Sequence, residues 1–132
     1  MTMFHGKLNS STALLAFGRE GMAASLFAQL VEEAPFTLKE WAKLLHTTER
    51  TLRRHLDNDQ SFAPLQADRI IKLAEVVARG EEVFGDLPRF EGYLRSTIPA
   101  LNNQQPLSLL DASAGINQVL AAIGRIEHGI LA

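Results

Sequence analysis

The stretch that decides the fold is Phe36–Leu56, FTLKEWAKLLHTTERTLRRHL. Ala42 is a small residue at which two helices can approach closely, and Leu52, ten residues later, is the apolar residue expected to face it. This spacing is typical of a helix-turn-helix, and it predicts short helices at about 38–45 and 49–57. The small core between the two helices is completed by Trp41, Leu45 and Leu56.

The ends of both helices carry recognisable signals. Thr37, followed three residues later by Glu40, forms the pattern of a capping box at the start of the first helix, and Thr48 is suited to cap the second. The turn between them is His46-Thr47, at a position that needs a left-handed backbone and is usually glycine. Histidine enters the left-handed region more readily than most residues, so the turn is compatible with this sequence.

The charge of this region differs from that of the rest of the chain. Residues 37–56 hold five basic and two acidic side chains, a local net charge of +3, whereas the whole chain has a net charge of −2. A basic patch on an acidic body is typical of a small DNA-binding protein. The alternative is an ordinary helical bundle in which the second helix is simply solvated. Arginine suits guanine edges and phosphates, and threonine suits phosphates, so the expected DNA-binding residues are Thr48, Arg50, Thr51, Arg53 and Arg54.

The remaining segments also have helical periodicity, and none alternates in the manner of a β-strand. Pro64 opens a long helix to about Phe84 that is apolar on two faces, so we expect it to be buried from two sides. Residues 99–105 form the clearest loop of the second half. Shorter helices are expected at 22–34, from Pro88, at 107–110 after Pro106, and at 114–128 with Ser113 as the N-cap.

The predicted fold is therefore all-α. An N-terminal helix-turn-helix lobe, residues 1–62, packs on a C-terminal helical lobe, residues 63–132, and the two lobes share a core. The apolar faces of residues 63–84 exceed what a single bundle of this size is expected to cover, and a two-fold DNA reader gains from pairing two reading helices. We therefore expect a homodimer formed through the second lobe.

Composition excludes several classes of function. The chain has no cysteine, and its four histidines do not stand with a carboxylate at the spacing of a metal site. No glycine-rich phosphate loop or catalytic cluster is visible, so we expect no enzyme activity, no cofactor, no metal and no small-molecule substrate. The apolar stretches are too short to cross a bilayer, and the N-terminus has no signal-peptide pattern. These features predict a cytoplasmic protein without a membrane partner.

The sequence Gly124–Ala132, GRIEHGILA, consists of a helical turn, a glycine stop and three apolar residues. Terminal residues are normally frayed and solvated unless something holds them. Ile130 and Leu131 are therefore expected to form a small hydrophobic plug. The plug either folds back onto the chain's own core or enters the pocket of a partner.

Six motifs follow one another along the chain: Arg19–Met22, Thr51–His55, Ala67–Ala74, Glu82–Asp86, Pro106–Asp111 and Gly124–Gly129. Their order is similar to that in the Xre/MbcA/ParS-like antitoxins, the partners of RES-domain toxins. The chain resembles this family over about residues 19–132. The helix beginning Ala-Asp-Arg and the motif Gly-Arg-Ile-Glu-His-Gly are its most specific pieces. One departure is the loop before Pro106, where the family commonly has glycines and a threonine and this chain has Asn102–Gln105.

The resemblance implies the antitoxin of a type II toxin–antitoxin system, which neutralises a RES-domain toxin that degrades NAD. The first lobe would bind operator DNA in the operon's own promoter, and the second would dimerise and hold the toxin. In the family the C-terminal end of the antitoxin lies at the entrance of the toxin's active site. The alternative function is a helix-turn-helix transcription regulator whose C-terminal lobe only dimerises or senses a ligand. The toxin-binding residues implied here are Arg125, Glu127, His128, Gly129, Ile130, Leu131 and Ala132.

Overall fold

The structure is a computed structural model that describes residues 24–129. Within this range all regular elements are helices and there is no β-strand, so the predicted all-α class is confirmed. The α-helices are α1 Ala24–Glu33, α2 Leu38–Leu44, α3 Glu49–Asp57, α4 Pro64–Phe84, α5 Leu87–Leu94, α6 Pro106–Leu109 and α7 Ser113–Glu127, and a 3-10 helix, Pro99–Leu101, lies between α5 and α6.

Packing divides the chain into two compact units, one ending at Glu75 and one beginning at Val76. The division falls inside α4, whereas the boundary expected from the sequence, between residues 62 and 63, lies just before this helix. The difference has a simple cause. Pro64 is a strong helix-start signal that suggests a boundary, while a continuous helix carries no change of composition to mark one in its interior.

The first unit is built around aromatic side chains. Phe27 of α1 packs edge-on against Trp41 of α2, with ring centroids 5.2 Å apart, and against Phe62 at 5.0 Å. Phe36 packs edge-on against Trp41 at 5.2 Å. Such edge-to-face pairs contribute about 0.5–1.5 kcal/mol each beyond the burial of their area. The helix α3 contacts both α1 and α2, which carry Phe27 and Trp41. The aromatic cluster therefore stabilises the two helices against which the second helix of the helix-turn-helix packs.

The long helix α4 is buried on both faces, as the sequence predicts. Ile70, Leu73 and Val76 are fully buried, whereas Leu65 is 90% exposed. This burial within one chain corrects the reasoning behind the homodimer, because the two apolar faces of residues 63–84 do not need a second copy to cover them. The homodimer stays a prediction that rests on the two-fold reading of DNA and on the family resemblance.

The second unit contains the last part of α4 together with α5, α6 and α7. The expected N-cap of α7 is wrong: Ala112 occupies the N-cap position without a side-chain hydrogen bond, and Ser113 is the first helical residue. The helix starts earlier because the N–H of Ile116 donates to the carbonyl of Ala112 at 3.0 Å. Gly115 permits a close approach of α6, since a Cβ at this position would lie 1.7 Å from the carbonyl oxygen of Leu109.

The loop expected at 99–105 contains short regular structure that the sequence did not predict. It contains the 3-10 helix, and the N–H of Ile98 donates to the carbonyl of Gln104 at 3.1 Å in an isolated β-bridge. Asn102 and Asn103 have φ angles of 58° and 60°. Asparagine tolerates this left-handed region better than most residues other than glycine. The two asparagines therefore form a tight turn without glycine.

Candidate functional site

Hydrogen bonds fix the first turn of both helices of the helix-turn-helix. The hydroxyl of Thr37 accepts from the N–H of Glu40 at 3.0 Å, and the carboxylate of Glu40 accepts from the N–H of Thr37 at 2.9 Å. The predicted capping box is thus confirmed. The hydroxyl oxygen of Thr48 accepts from the N–H of Thr51 at 3.1 Å, which confirms Thr48 as the N-cap of α3.

The turn between α2 and α3 bends at His46, whose φ of 57° confirms the predicted left-handed histidine. The N–H of Thr47 donates to the carbonyl of Ala42 at 2.9 Å, so the chain closes over the end of α2 before α3 begins. A left-handed backbone costs a residue other than glycine about 1–2 kcal/mol. Contacts around the turn must offset this cost.

One such contact comes from Arg69 of α4, which the sequence reasoning did not single out as a functional residue. Its Nε donates to the carbonyl of Leu44, the last residue of α2, at 2.9 Å. Its Nη2 lies 3.4 Å from Nε2 of His46. The last carbonyls of a helix have no partner within the helix, so Arg69 satisfies one of them and ties the turn to α4. The partners are 25 residues apart, and no local pattern reveals such a pairing.

The inner side of α3 is buried by Leu52 and His55, which are 0% and 9% exposed. His55 stacks on Phe62 with ring centroids 4.0 Å apart, and its Nδ1 lies 2.9 Å from the carbonyl oxygen of Gln60. These contacts hold the C-terminal half of α3 against the unit. They decide which side of the helix is left for solvent or a ligand.

The outer side of α3 carries the residues expected to contact DNA. Arg53 forms a 3.5 Å ion pair with Glu49, and both side chains are exposed. Among the described residues, the side chains of Arg50 and Arg54 have no ion-pair partner. Arginines without an internal partner are free to bind phosphate or a base edge. Of the five predicted DNA-binding residues, Thr51 is half-buried, and the exposed ones are Thr48, Arg50, Arg53 and Arg54.

A second candidate site lies at the end of α7. The helix stops at Glu127, and Gly129 follows with a φ of 76°. The N–H of His128 donates to the carbonyl of Gly124 at 3.1 Å, and that of Gly129 to the carbonyl of Ile126 at 3.1 Å. This arrangement is the usual glycine-terminated helix end, and it confirms the glycine stop predicted from the sequence. Ile130, Leu131 and Ala132, the apolar residues of the predicted plug, lie outside the described residues.

The carboxylate of Glu127 is bound by Arg79 of α4. Nη1 of Arg79 donates to Oε2 of Glu127 at 3.0 Å, Nη2 donates to Oε1, and Nη1 also donates to Glu82 at 3.1 Å. The hydrogen bonds from Arg79 hold the pKa of Glu127 below its usual value. Sequence reasoning missed Arg79, because the pairing with Glu127 spans 48 residues and leaves no local signal.

Arg125 lies on a different side of α7 from Glu127, since two residues along a helix turn by about 200°. Its side chain is half-buried and near Tyr93 of α5. Burial raises the pKa of the Tyr93 hydroxyl, and the charge of Arg125 partly opposes this rise. Within residues 24–129, no hydrogen bond or ion pair holds the guanidinium of Arg125. Ile126, between the two charged residues, is 37% exposed.

The part of the chain that the structure describes contains no helix long and apolar enough to span a membrane. In the same residues, the potential metal-ligating side chains form no group of three or more that could hold an ion.

Both parts of the chain match known protein families. The Antitoxin Xre-like helix-turn-helix domain matches residues 13–75. The Antitoxin Xre/MbcA/ParS C-terminal toxin-binding domain matches residues 79–129. The first match contains all of α2 and α3, and the second contains Arg79 and the end of α7 up to Gly129.

Individual relatives agree with this assignment. Antitoxin Xre of Yersinia enterocolitica is 31% identical over 93 residues, which are 67% of this chain and 63% of that protein, so the match spans less than two thirds of the relative. The Prs ADP-ribosylating antitoxin of Sphingobium sp. is 24% identical over 123 residues, or 86% of this chain and 77% of that protein.

A solved structure resembles the fold. A chain in the crystal structure of the M. tuberculosis MbcT-MbcA toxin-antitoxin complex superimposes with a TM-score of 0.65 at 22% identity, covering 83% of this chain and 96% of that chain. At this identity the likeness concerns the fold. The family assignment rests on the sequence matches, which follow one another along the chain: the protein belongs to the Xre/MbcA/ParS family of antitoxins.

Proposed function

We propose that the protein is the antitoxin of a type II toxin–antitoxin system and neutralises a RES-domain toxin that degrades NAD. The observation that carries the proposal is the match of residues 79–129 to a toxin-binding domain. The name of one relative, Prs ADP-ribosylating antitoxin, favours a toxin whose chemistry starts from NAD, because NAD is the usual donor of ADP-ribose. The antitoxin itself performs no catalytic step in this proposal and needs no cofactor.

The inhibitory element is the segment 125–132, which covers the entrance of the toxin's active site. The left-handed backbone at Gly129 supports this role, since it ends the helix directly before the apolar residues of the segment. Ile130 and Leu131 are apolar and follow directly. Ile126 and His128, which precede them in the sequence, are exposed, so the described part of the segment is accessible to a partner.

The same protein represses its own operon through α3. Arg50 and Arg54 are the main candidates for operator contacts, because both are exposed and neither has an ion-pair partner among the described residues. Arg53 is a weaker candidate, since it must first leave Glu49. A homodimer would present two copies of α3 to two half-sites of the operator.

Removing residues 129–132 tests the inhibitory role of the segment. Burial of Ile130 and Leu131 in a toxin pocket would contribute about 3–5 kcal/mol, which corresponds to about two to three and a half decades in the dissociation constant. We expect the shortened protein to melt within a few degrees of the full chain but to fail to protect cells that produce the toxin. Cellular NAD, measured together with ADP-ribosylated protein, reports protection and distinguishes NAD degradation from ADP-ribosyl transfer.

The matched control is Leu65→Ser, which removes an apolar side chain that is 90% exposed elsewhere in the chain. This variant should protect cells as well as the wild type does. Full protection by the shortened protein would show that the segment is not inhibitory. Co-expression with the neighbouring reading frame, followed by mass measurement of the purified complex, separates the antitoxin from a transcription regulator that binds no toxin.

A further inference from the structure

The contact between Arg79 and Glu127 lies at the end of α7, within the segment 125–132 that is proposed to inhibit the toxin. Glu127 is the last residue of α7, and Gly129, two residues later, is the point at which the chain leaves the helix. The last fully buried side chain of α7 is Ile123, and Ile126 is 37% exposed. The terminal turn therefore has little apolar anchorage of its own, and helix ends without anchorage fray.

Arg79 supplies the missing anchorage. Both of its terminal nitrogens donate to the two carboxylate oxygens of Glu127, and a two-point contact of planar groups fixes direction as well as distance. Arg79 is itself positioned by Glu82, one turn along α4, at 3.1 Å. The pair joins α4 to the last turn of α7, where the inhibitory segment 125–132 begins.

We propose that Glu127 is a positioning residue, and that its ion pair with Arg79 holds the last turn of α7 in the position that toxin inhibition requires. This inference rests on the proposed inhibitory role of the segment 125–132. In this proposal Glu127 and Arg125 have different roles, and Glu127 acts within the antitoxin. The guanidinium of Arg125 has no hydrogen-bond or ion-pair partner among the described residues. Arg125 is therefore the residue that binds an acidic group of the toxin.

A set of four variants tests the proposal with the toxin produced from the neighbouring reading frame. Arg79→Met and Glu127→Gln each remove the pair, the double variant Arg79→Glu/Glu127→Arg reverses its charges, and Glu82→Gln removes only the neighbouring contact. The readout is the antitoxin concentration that halves toxin activity. An exposed two-point ion pair stabilises the position of a helix end modestly, so each single variant should raise this concentration by about two- to fivefold.

The reversed pair distinguishes positioning from direct contact with the toxin. If Glu127 acts through Arg79, the double variant restores inhibition to the wild-type level, and Glu82→Gln leaves inhibition nearly unchanged. A double variant that inhibits no better than the single ones would mean that Glu127 or Arg79 contacts the toxin itself, and the proposal would be overturned. Melting curves of all four proteins verify folding, since both side chains lie at the surface.

The variant lacking residues 129–132 distinguishes failure of the positioning role from failure of the proposed inhibitory role of the segment. If that variant is inactive while Arg79→Met and Glu127→Gln inhibit fully, the segment is inhibitory and the positioning role is refuted. If the variant lacking the segment inhibits as well as the full chain, the inhibitory role of the segment fails, and the positioning role fails with it.

Discussion

Two glycines of α7 differ in the space that surrounds them: one has no room for a side chain and the other has ample room. A Cβ at Gly115 would lie 1.7 Å from the backbone oxygen of Leu109, whereas a Cβ at Gly124 would meet nothing within 4 Å. Gly115→Ala should therefore destabilise the protein by about 3 kcal/mol, because backbone cannot move aside as a side chain can. Gly124→Ala should stabilise it by about 0.5–1 kcal/mol, since alanine favours the helix.

Urea unfolding followed by circular dichroism measures both effects. The two variants are controls for each other, because each adds one methyl group to the same helix. Equal unfolding midpoints for the two variants would show that α6 does not approach α7 at Gly115 as closely as described.

The ionisation of Glu127 gives a second test at the scale of single residues. Its pKa is lowered mainly by the hydrogen bonds from Arg79; partial burial opposes this, and the charges of Arg79 and His128 add to the lowering. A lowered pKa in the folded state means that the stabilisation is fully present above the ordinary carboxyl pKa of about 4.3. It is lost as the pH falls through the lowered value.

In Arg79→Met the pKa of Glu127 should therefore rise towards the ordinary value. An NMR titration of the Glu127 side-chain carboxyl carbon measures this directly. Glu82→Gln is the control, because it leaves both hydrogen bonds from Arg79 to Glu127 in place. A pKa that is the same with and without Arg79 would contradict the described contact.

At the scale of helices, the sequence predicts well wherever a local signal exists. The capping residues Thr37 and Thr48 define the starts of α2 and α3, and Pro64 is the first residue of α4. The start of α7 was misplaced because serine suits both the N-cap position and the first helical turn, so Ser113 alone does not distinguish them.

The contacts that connect helices were not predictable in the same way. Arg69 reaches Leu44 and Arg79 reaches Glu127 over 25 and 48 residues of chain. Periodicity shows which face of a helix is apolar, but it does not show which distant carbonyl or carboxylate an arginine will bind. The candidate DNA-binding residues could be named from the sequence, whereas the residues that hold their helix in place could not.

The tie between α4 and the end of α2 leads to a prediction at this scale. Arg69→Met keeps most of the side chain's apolar length but leaves the carbonyl of Leu44 without the donor that reaches it from α4. Loss of a hydrogen bond to a charged group costs about 1.5–3 kcal/mol. Arg53→Met is the matched control, because its ion pair is exposed and its removal should change stability by less than about 1 kcal/mol.

Thermal unfolding of the two variants provides the comparison, for which Arg53→Met is the control. Operator binding by Arg69→Met, compared with the wild type, adds a second readout. Arg69→Met should weaken operator binding through the altered turn, although Arg69 is not among the residues expected to touch DNA. A variant as stable as the wild type would show that the hydrogen bond to Leu44 is not important for the turn.

At the scale of the whole molecule, the two candidate sites belong to different packing units. α3 lies in the unit that ends at Glu75, and the end of α7 lies in the unit that begins at Val76. The hydrogen bonds that hold α3 come from residues of the first unit, and those that hold the end of α7 come from residues of the second. The basic charge is concentrated around α2 and α3, so the attraction for DNA is expected to arise in the first unit alone.

This separation predicts that the two activities can be removed independently. Arg50→Ala/Arg54→Ala should weaken operator binding, yet the variant should neutralise the toxin normally. The dependence of its DNA affinity on salt should fall by about one unit of slope for each phosphate that the protein no longer binds. The protein lacking residues 129–132 should do the reverse, binding the operator normally and failing to neutralise the toxin.

Each purified protein is measured in both assays, with Leu65→Ser as the control that keeps both activities. If either altered protein were inactive in both assays while melting like the wild type, the two sites would have to be coupled, and the assignment of DNA and toxin to separate units would be wrong. Unchanged affinity and unchanged slope in the arginine variant would mean that the helix-turn-helix serves only as a scaffold.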